Sequence, residues 1–491
     1  MELGIKAWAR SRNLSCRVVV IVLLSSPLTK SFQAAMASFK EIVDRARAAF
    51  QSGRTRSVEF RKQQLLQLKK MYEENRQTFL DAVHSDLRKP KLEATLFETG
   101  FAEKDLDFLL TRVEDCLKPQ EVAPVMPQDK CLIYKDPYGV VLVMGAWNYP
   151  LQLSLIPAAG AIAAGNAVII KPSEVAPATA AAIAKLVPQY LDKECFHVVC
   201  GGVAETTELL KQRFDYIFYT GSTGVGKIVR DAANKFLTPT TLELGGKCPC
   251  YVDQTADLDI ATRRILWGKL FNLGQTCIAP DYIMCPKAVE GEIVAKAKEI
   301  LKEWYGDSLE KNPDLCRIVA ERHVDRLAGY LNSGKVVVGG KYDKESKWVE
   351  PTILVDVKEN SKVMQDEVFG PILPILNYEK YQDAINFIKK GEKPLAMYVF
   401  SKQQNVVDAF LSQVSSGGAT INDTLHHAAN PNLPFGGVGH SGMGAYHGDY
   451  TIDTFLHKKS VLIRNFDSAP EKMLSLRYPP YTDEKLKILS A

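Results

Sequence analysis

The sequence predicts an α/β fold with two units of alternating strands and helices. Three observations lead there. The chain has 491 residues, more than one ordinary core accommodates, so two or three domains are expected. Continuous apolar runs at 140–144, 167–170 and 216–219 have the composition of strands buried on both faces of a parallel sheet. Ala-rich helical stretches at 156–164 and 177–190 lie between them, and such alternation belongs to a doubly wound sheet.

Taken in order, residues 39–115 read as helices. Phe39, Ile42, Val43, Ala46 and Phe50 recur at helical spacing, and Leu65, Leu68, Tyr72, Phe79 and Val83 continue the pattern on a longer segment. Pro119, Pro124 and Pro127 then interrupt any helix, and 130–135 reads as an exposed strand. The first α/β unit adds strands at 196–199 and 216–219 to those at 140–144 and 167–170. Asp257 opens a helix expected to reach Asn272. A second α/β unit follows up to residue 413, with strands at 282–284, 352–355 and 397–400 and helices at 293–304 and 384–390. Gly436, Gly437, Gly439, Gly442 and Gly444 make the following stretch turn-rich. No fixed-period repeat or low-complexity tract is present.

Composition narrows the function. A net charge of +4 over this length argues against a dedicated nucleic-acid binder. Ten cysteines in a chain this long do not make a disulfide scaffold; none forms a C-x-x-C pair, and Cys248 and Cys250 have no nearby histidine to complete a zinc pattern. The eight histidines form no metal-ligand cluster, so no metal is expected. Lys6, Arg10, Arg12 and Arg17 precede an apolar run at 18–24, which is too short to span a bilayer. It reads either as a targeting segment or as an extension upstream of Met36. The tail at 485–491 carries neither an apolar anchor nor a lipidation site, so membrane attachment through that end is not supported.

Two stretches carry chemistry. Cys277 follows Gly274-Gln275-Thr276, a small flexible approach that suits a nucleophile better than a packed core. Glu243 sits between Leu242 and Leu244, where an apolar strand end would raise its pKa toward general-base work; by residue type alone it also reads as a surface glutamate. Asn148 ends the 140–144 strand, and an amide there can stabilise an oxyanion or simply make a turn before Pro150. Gly221, Ser222, Thr223, Gly224, Val225 and Gly226 open a helix after a strand, where backbone amides can face a pyrophosphate. Their G-x-x-G-x-G spacing differs from the usual dinucleotide fingerprint and is a weak signal alone.

Together, residues 242–247 (Leu-Glu-Leu-Gly-Gly-Lys) and 274–277 (Gly-Gln-Thr-Cys) resemble the two signature motifs of the aldehyde dehydrogenase superfamily, in the version closest to its class 3 branch for fatty and aromatic aldehydes. The resemblance runs from about Phe39 to Pro480. It implies a Rossmann-like NAD-binding domain (36–115 and 137–243), a catalytic domain (244–413), bridging and oligomerisation segments with a small β-sheet (116–136 and 414–460), a tail (461–491) and an N-terminal extension (1–35). It implies Cys277 as nucleophile, Glu243 as base and Asn148 as oxyanion donor. Lys171 and Glu174 would meet the adenosine ribose, and Glu367 and Phe369, in a Glu-Val-Phe-Gly-Pro match, would meet the nicotinamide end. Tyr149, Trp267 and Phe271 are candidates for an apolar aldehyde tunnel, Phe435 is a further one near the nicotinamide, and Asn422 would brace local backbone. NAD and NADP both remain open as cofactor, since Glu174 repels a 2′-phosphate unless it swings away. The implied enzyme is a cytoplasmic homodimer, with mitochondrial or endoplasmic reticulum targeting left open by residues 1–35. Competing readings are a thiol esterase using the same cysteine and a non-catalytic structural protein. One departure is Cys248, where the family more often has Ser or Asn; it adds a nearby thiol that can oxidise.

Overall fold

The computed structural model describes residues 27–466, 471 and 473–490, so the apolar run at 18–24 lies outside the described residues. Helices make up most of the described chain from Pro27 to Leu117, from Pro27–Gln51 through Val58–Glu74 and Arg76–Leu87 to Gly100–Leu117. The first of them begins earlier than the expected start at Phe39.

A six-stranded sheet follows, in the order Gly442–Met443, Thr240–Glu243, Tyr216–Thr220, Val140–Met144, Ala167–Lys171, Phe196–Val198. All neighbours are parallel except the first pair. Both faces are covered by helices, which is why Val140–Met144, Ala167–Lys171 and Tyr216–Thr220 are buried at every position. A seven-stranded sheet runs Lys335–Val338, Thr352–Val355, Ile372–Asn377, Tyr282–Cys285, Pro249–Val252, Ala396–Phe400, Gly418–Ile421. A three-stranded antiparallel sheet joins Gln120–Val122, Asp129–Pro137 and Leu456–Arg464, the last two paired over nine positions.

Two strands differ from the sequence reading of 414–460 as bridging structure. Gly418–Ile421 is the parallel edge of the seven-stranded sheet, and Gly442–Met443, inside the glycine-rich stretch, pairs with Leu242 and Glu243. Neither has the apolar run that marks a buried strand. A third difference concerns the helix expected to reach Asn272. It spans Leu258–Leu270, capped by the Asp257 carboxylate, which accepts the Ile260 amide. Asn272, Leu273 and Gly274 then turn left-handed, with φ of 51°, 52° and 75°. Such angles are unfavourable for side chains with a Cβ. Asn272 is held there by its own hydrogen bonds: its N–H donates to Glu93 Oε2 at 3.0 Å and its Nδ2 to the carbonyls of Asn148 and Gln275 at 2.9 and 3.0 Å. At 274 only glycine fits, because a Cβ would lie 2.3 Å from the Gly370 carbonyl oxygen.

The helix Gln152–Ala164 is buried from Leu153 onward, so its terminal N–H and C=O groups need partners inside the protein. Glu98 accepts the amides of Leu151 and Gln152 at 3.1 Å each. At the other end the buried Arg61 donates to the carbonyls of Ala164 (3.0 Å) and Ala163 (3.4 Å), and also to Thr55 and Arg56. A carboxylate at the amino end and a guanidinium at the carboxyl end match the sign of the helix dipole. The turn preceding this helix carries Asn148.

Candidate active site

Cys277 lies just beyond the left-handed turn at 272–274. Gln275, fully buried, anchors the approach: its Nε2 donates to the carbonyls of Asn272 and Arg317 at 3.1 and 2.9 Å, and its Oε1 accepts the Val319 amide at 2.9 Å. Burial pushes the Cys277 thiol well above its ordinary pKa; the nearby Glu367 and Glu243 carboxylates push it further, and the amides of Cys277 and Ile278 oppose them. These influences favour the protonated thiol, so a reaction through Sγ calls for a proton acceptor nearby.

Glu243 ends the strand Thr240–Glu243 with 3 % exposure, and among the described residues neither carboxyl oxygen has a hydrogen-bond partner. Burial raises its pKa far above the carboxylate range. An unpartnered buried carboxyl is costly for stability, and it is also free to accept a proton. Asn148 donates one Nδ2–H to the Gln275 carbonyl at 3.1 Å, leaving its second N–H for another acceptor. Cys277, Glu243 and Asn148 line one cavity of about 980 Å³.

The same cavity is lined by Gly221, Ser222, Thr223, Glu367 and Phe369. Gly221 N–H donates to the Glu243 carbonyl at 3.0 Å, tying this loop to the strand Thr240–Glu243. Ser222 caps the helix Thr223–Asn234, and a helix N-terminus at the carboxyl end of parallel strands favours phosphate. Val225 N–H donates to the cap hydroxyl. Gly226 lets the helix pack closely, since a Cβ would come 2.7 Å from Leu244 Cδ2, whereas Gly224 has open space around it. Glu367 Oε2 lies where a Cβ on Gly245 would be, 2.1 Å away, and the Gly246 amide bonds to its carboxylate. Burial, then Asp281, lifts Glu367 to about 8. Phe369, at φ 45°, packs edge-on against Trp147 at 5.3 Å.

Lys171 and Glu174 do not line this cavity. They pair at 2.6 Å at the end of the strand Ala167–Lys171, and Glu174 faces a neighbouring recess that it shares with Arg322 and Lys347. Nor do the tunnel candidates line it. Phe271 stacks on Tyr149 (6.2 Å) and meets Trp267 (5.6 Å) and Phe97 (4.3 Å), while the Tyr149 hydroxyl bonds Thr276 Oγ1 at 2.7 Å, one residue before Cys277. Phe435 does not line this cavity; it stacks on His447 (5.0 Å) and His427 (6.3 Å) and packs on Tyr446, whose phenol feels the charges of Glu243 and Cys277. Asn422 braces Ser401 by bonding its amide and its carbonyl at 2.9 and 3.2 Å.

Sequence reading missed the supports of the Glu367 loop. Lys247 Nζ reaches Asp281 (2.5 Å) and the carbonyls of Val363 and Asp366 (2.8 Å each). Arg326 donates to the carbonyls of Glu367, Val368 and Phe369, and Asp281 accepts the Val368 amide. Lys247 stood in a quoted motif without a role; Arg326 and Asp281 have no local signal.

The arrangement fits a dinucleotide. A capped helix N-terminus, a glycine whose missing Cβ admits a carboxylate and a roomy cavity converge on one thiol. Comparison with known proteins agrees. Residues 17–461 match the model of the aldehyde dehydrogenase family. The chain is 50 % identical over 447 residues to "Aldehyde dehydrogenase, dimeric NADP-preferring" of Rattus norvegicus, covering 91 % of this chain and 98 % of that one. It is 49 % identical to "Aldehyde dehydrogenase family 3 member A2" of Mus musculus, covering 90 % and 91 %. Among solved structures, "Substrate bound state of Staphylococcus Aureus AldH" superposes with a TM-score of 0.88 at 42 % identity, covering 92 % of this chain and 98 % of that one. The chain belongs to the aldehyde dehydrogenase family, oxidoreductases that act on aldehydes with NAD or NADP, and within it to the class 3 branch.

Proposed function

We propose that Cys277, Glu243 and Asn148 divide the oxidation of an aldehyde among nucleophile, base and oxyanion donor. The observation that carries this reading is their convergence on one cavity, with both Glu243 oxygens unpartnered and one Asn148 N–H uncommitted. Cys277 passes its proton to Glu243, or through water to the bulk, and Sγ attacks the aldehyde carbon, forming a C–S bond as the carbonyl π bond opens. The carbonyl oxygen gains charge and the free Asn148 N–H stabilises it. A dinucleotide held in the cavity would supply the hydride acceptor, and loss of hydride from that carbon would leave a thioester. Glu243 takes a proton from water as the water oxygen attacks the thioester, the C–S bond breaks, and the acid leaves while Cys277 regains its thiol.

Glu367 is assigned to the nicotinamide ribose, the first turn of the helix Thr223–Asn234 to the pyrophosphate, and Lys171 with Glu174 to the adenosine ribose. The substrates are medium- to long-chain aliphatic or aromatic aldehydes, a reading supported by the aromatic cluster of Tyr149, Trp267 and Phe271 beside Thr276. The working unit is a homodimer, as the word "dimeric" in the rat relative's name supports, with aldehyde detoxification and lipid metabolism as its setting. A cytoplasmic location is supported by the nine described cysteines, all free. Among the described residues no helix is long and apolar enough to cross a membrane.

The test is Cys277→Ala. Reduction of NAD or NADP with an aldehyde should fall to background. An acyl group trapped on the wild-type enzyme should be recovered on the Cys277 peptide, and recovery elsewhere overturns the mechanism.

A further inference from the structure

Behind the turn that carries Asn148 lies an ion pair with no contact to solvent. The side chains of Lys89 and Glu98 are both fully buried, with Nζ and Oε1 2.7 Å apart. Burying two charges costs several kcal/mol per ion, and their attraction offsets this only when the remaining hydrogen-bonding capacity is used. Here that capacity goes to one short piece of backbone. Lys89 Nζ donates to the Asn148 carbonyl at 2.9 Å and stands 4.0 Å over the Tyr149 ring. Glu98 Oε2 accepts the amides of Leu151 and Gln152. Burial raises the Glu98 pKa, and Lys89 and those two amides oppose the rise. Glu98 is carried by a single π-helical turn, Thr95–Thr99, a local widening that recurs at functional sites.

Asn148 is also held by the segment that leads into Cys277. Its carbonyl accepts Asn272 Nδ2 and its Nδ2 donates to the Gln275 carbonyl. The residue is thus suspended between the Lys89–Glu98 pair and the segment leading into Cys277.

We infer that Lys89 and Glu98 are positioning residues for aldehyde oxidation: the pair pins residues 148–152 so that the free Asn148 N–H stays aimed at the oxyanion. This rests on the reading of Asn148 as oxyanion donor. Neither residue touches substrate; both act through the turn. A displacement of about 1 Å at such a donor costs up to roughly 100-fold in rate.

The experiment is the paired replacement Lys89→Met with Glu98→Gln, made together because a single loss leaves a buried charge uncompensated. Steady-state kcat and KM, hydrolysis of an activated ester by cofactor-free enzyme, and alkylation of Cys277 by iodoacetamide are measured in the wild-type and Asn148→Ala backgrounds. The expected result is a kcat lower by about 10- to 100-fold, with KM little changed. Ester hydrolysis falls in parallel, alkylation, which forms no oxyanion, is unaltered, and nothing further is lost in the Asn148→Ala background. An unchanged kcat, a loss that adds fully to that of Asn148→Ala, or an equal fall in alkylation overturns the proposal. If the paired variant does not fold, Glu98→Asp keeps the charges and withdraws the carboxylate from the two amides. It should lower kcat several-fold with alkylation intact, and wild-type kcat in that variant overturns the proposal as well. Should Asn148→Ala alone retain wild-type kcat, the oxyanion reading falls instead, whatever the pair does.

Discussion

The substitution Glu243→Gln keeps the shape of the side chain and removes its ability to take a proton. Glu243 has 3 % exposure and, among the described residues, no hydrogen-bond partner for either oxygen, so no bond seen there is lost. Removing a general base lowers the rate by about 10²- to 10⁴-fold, or roughly 3–5 kcal/mol of barrier. Stability should move the other way. Burial raises the folded-state pKa of Glu243 above its unfolded value. The wild-type protein is therefore fully stable with respect to this group in acid and loses stability as pH rises through the folded-state pKa. An amide does not ionise, so the melting temperature of the variant should equal or exceed that of wild type, with the gap widening as pH rises from the unfolded-state pKa to the folded-state pKa. The hydrolytic step of the wild type should accelerate as pH rises through the same pKa, because only the ionised carboxylate accepts the proton, and the variant's profile should be flat. Stopped-flow recording of reduced cofactor separates the steps. A retained burst with a slow steady state assigns Glu243 to the water alone; a slowed burst assigns it to Cys277 as well. A steady-state kcat within about threefold of wild type refutes the role outright, as does a drop in melting temperature large enough to account for the lost activity.

Two other substitutions probe neighbouring features. Gly245→Ala would place a methyl 2.1 Å from Glu367 Oε2, so the carboxylate must move; KM for NAD or NADP should rise about tenfold or more, one lost charge-assisted hydrogen bond being worth about 1.5–3 kcal/mol, while the Cys277 alkylation rate holds. Arg61→Met removes the hydrogen bonds that close the carboxyl end of Gln152–Ala164; a net loss of about 3 kcal/mol in a chain of this size lowers the melting temperature by roughly 3 °C in a thermal shift assay.

Buried strands were legible because parallel sheets covered on both faces need continuous apolar runs, as at 140–144 and 216–219. The helix Pro177–Tyr190 matched at both ends, since its proline start is a local signal. Cys277, Glu243 and Glu367 could be singled out because short motifs carry them. The geometry that makes them work could not. The turn at 272–274 is held by hydrogen bonds to Glu93 and Asn148, more than 100 residues upstream. Gly442–Met443 is a strand only because Leu242 and Glu243 offer it an edge. The Lys89–Glu98 pair reads in sequence as two ordinary surface charges, and only tertiary packing removes them from water. The motif around Phe435 carries no sign of the His427 and His447 rings that stack on it.

The nine-position ladder between Asp129–Pro137 and Leu456–Arg464 closes a loop of more than 300 residues. Contacts so distant along the chain form late and slowly. During synthesis on the ribosome, the strand at 129–137 must wait with an unpaired edge until nearly the whole polypeptide has emerged, and the sheet that holds Glu243 lacks its outer strand for as long. A message truncated anywhere before codon 442 would therefore yield an aggregation-prone fragment and not a smaller working enzyme.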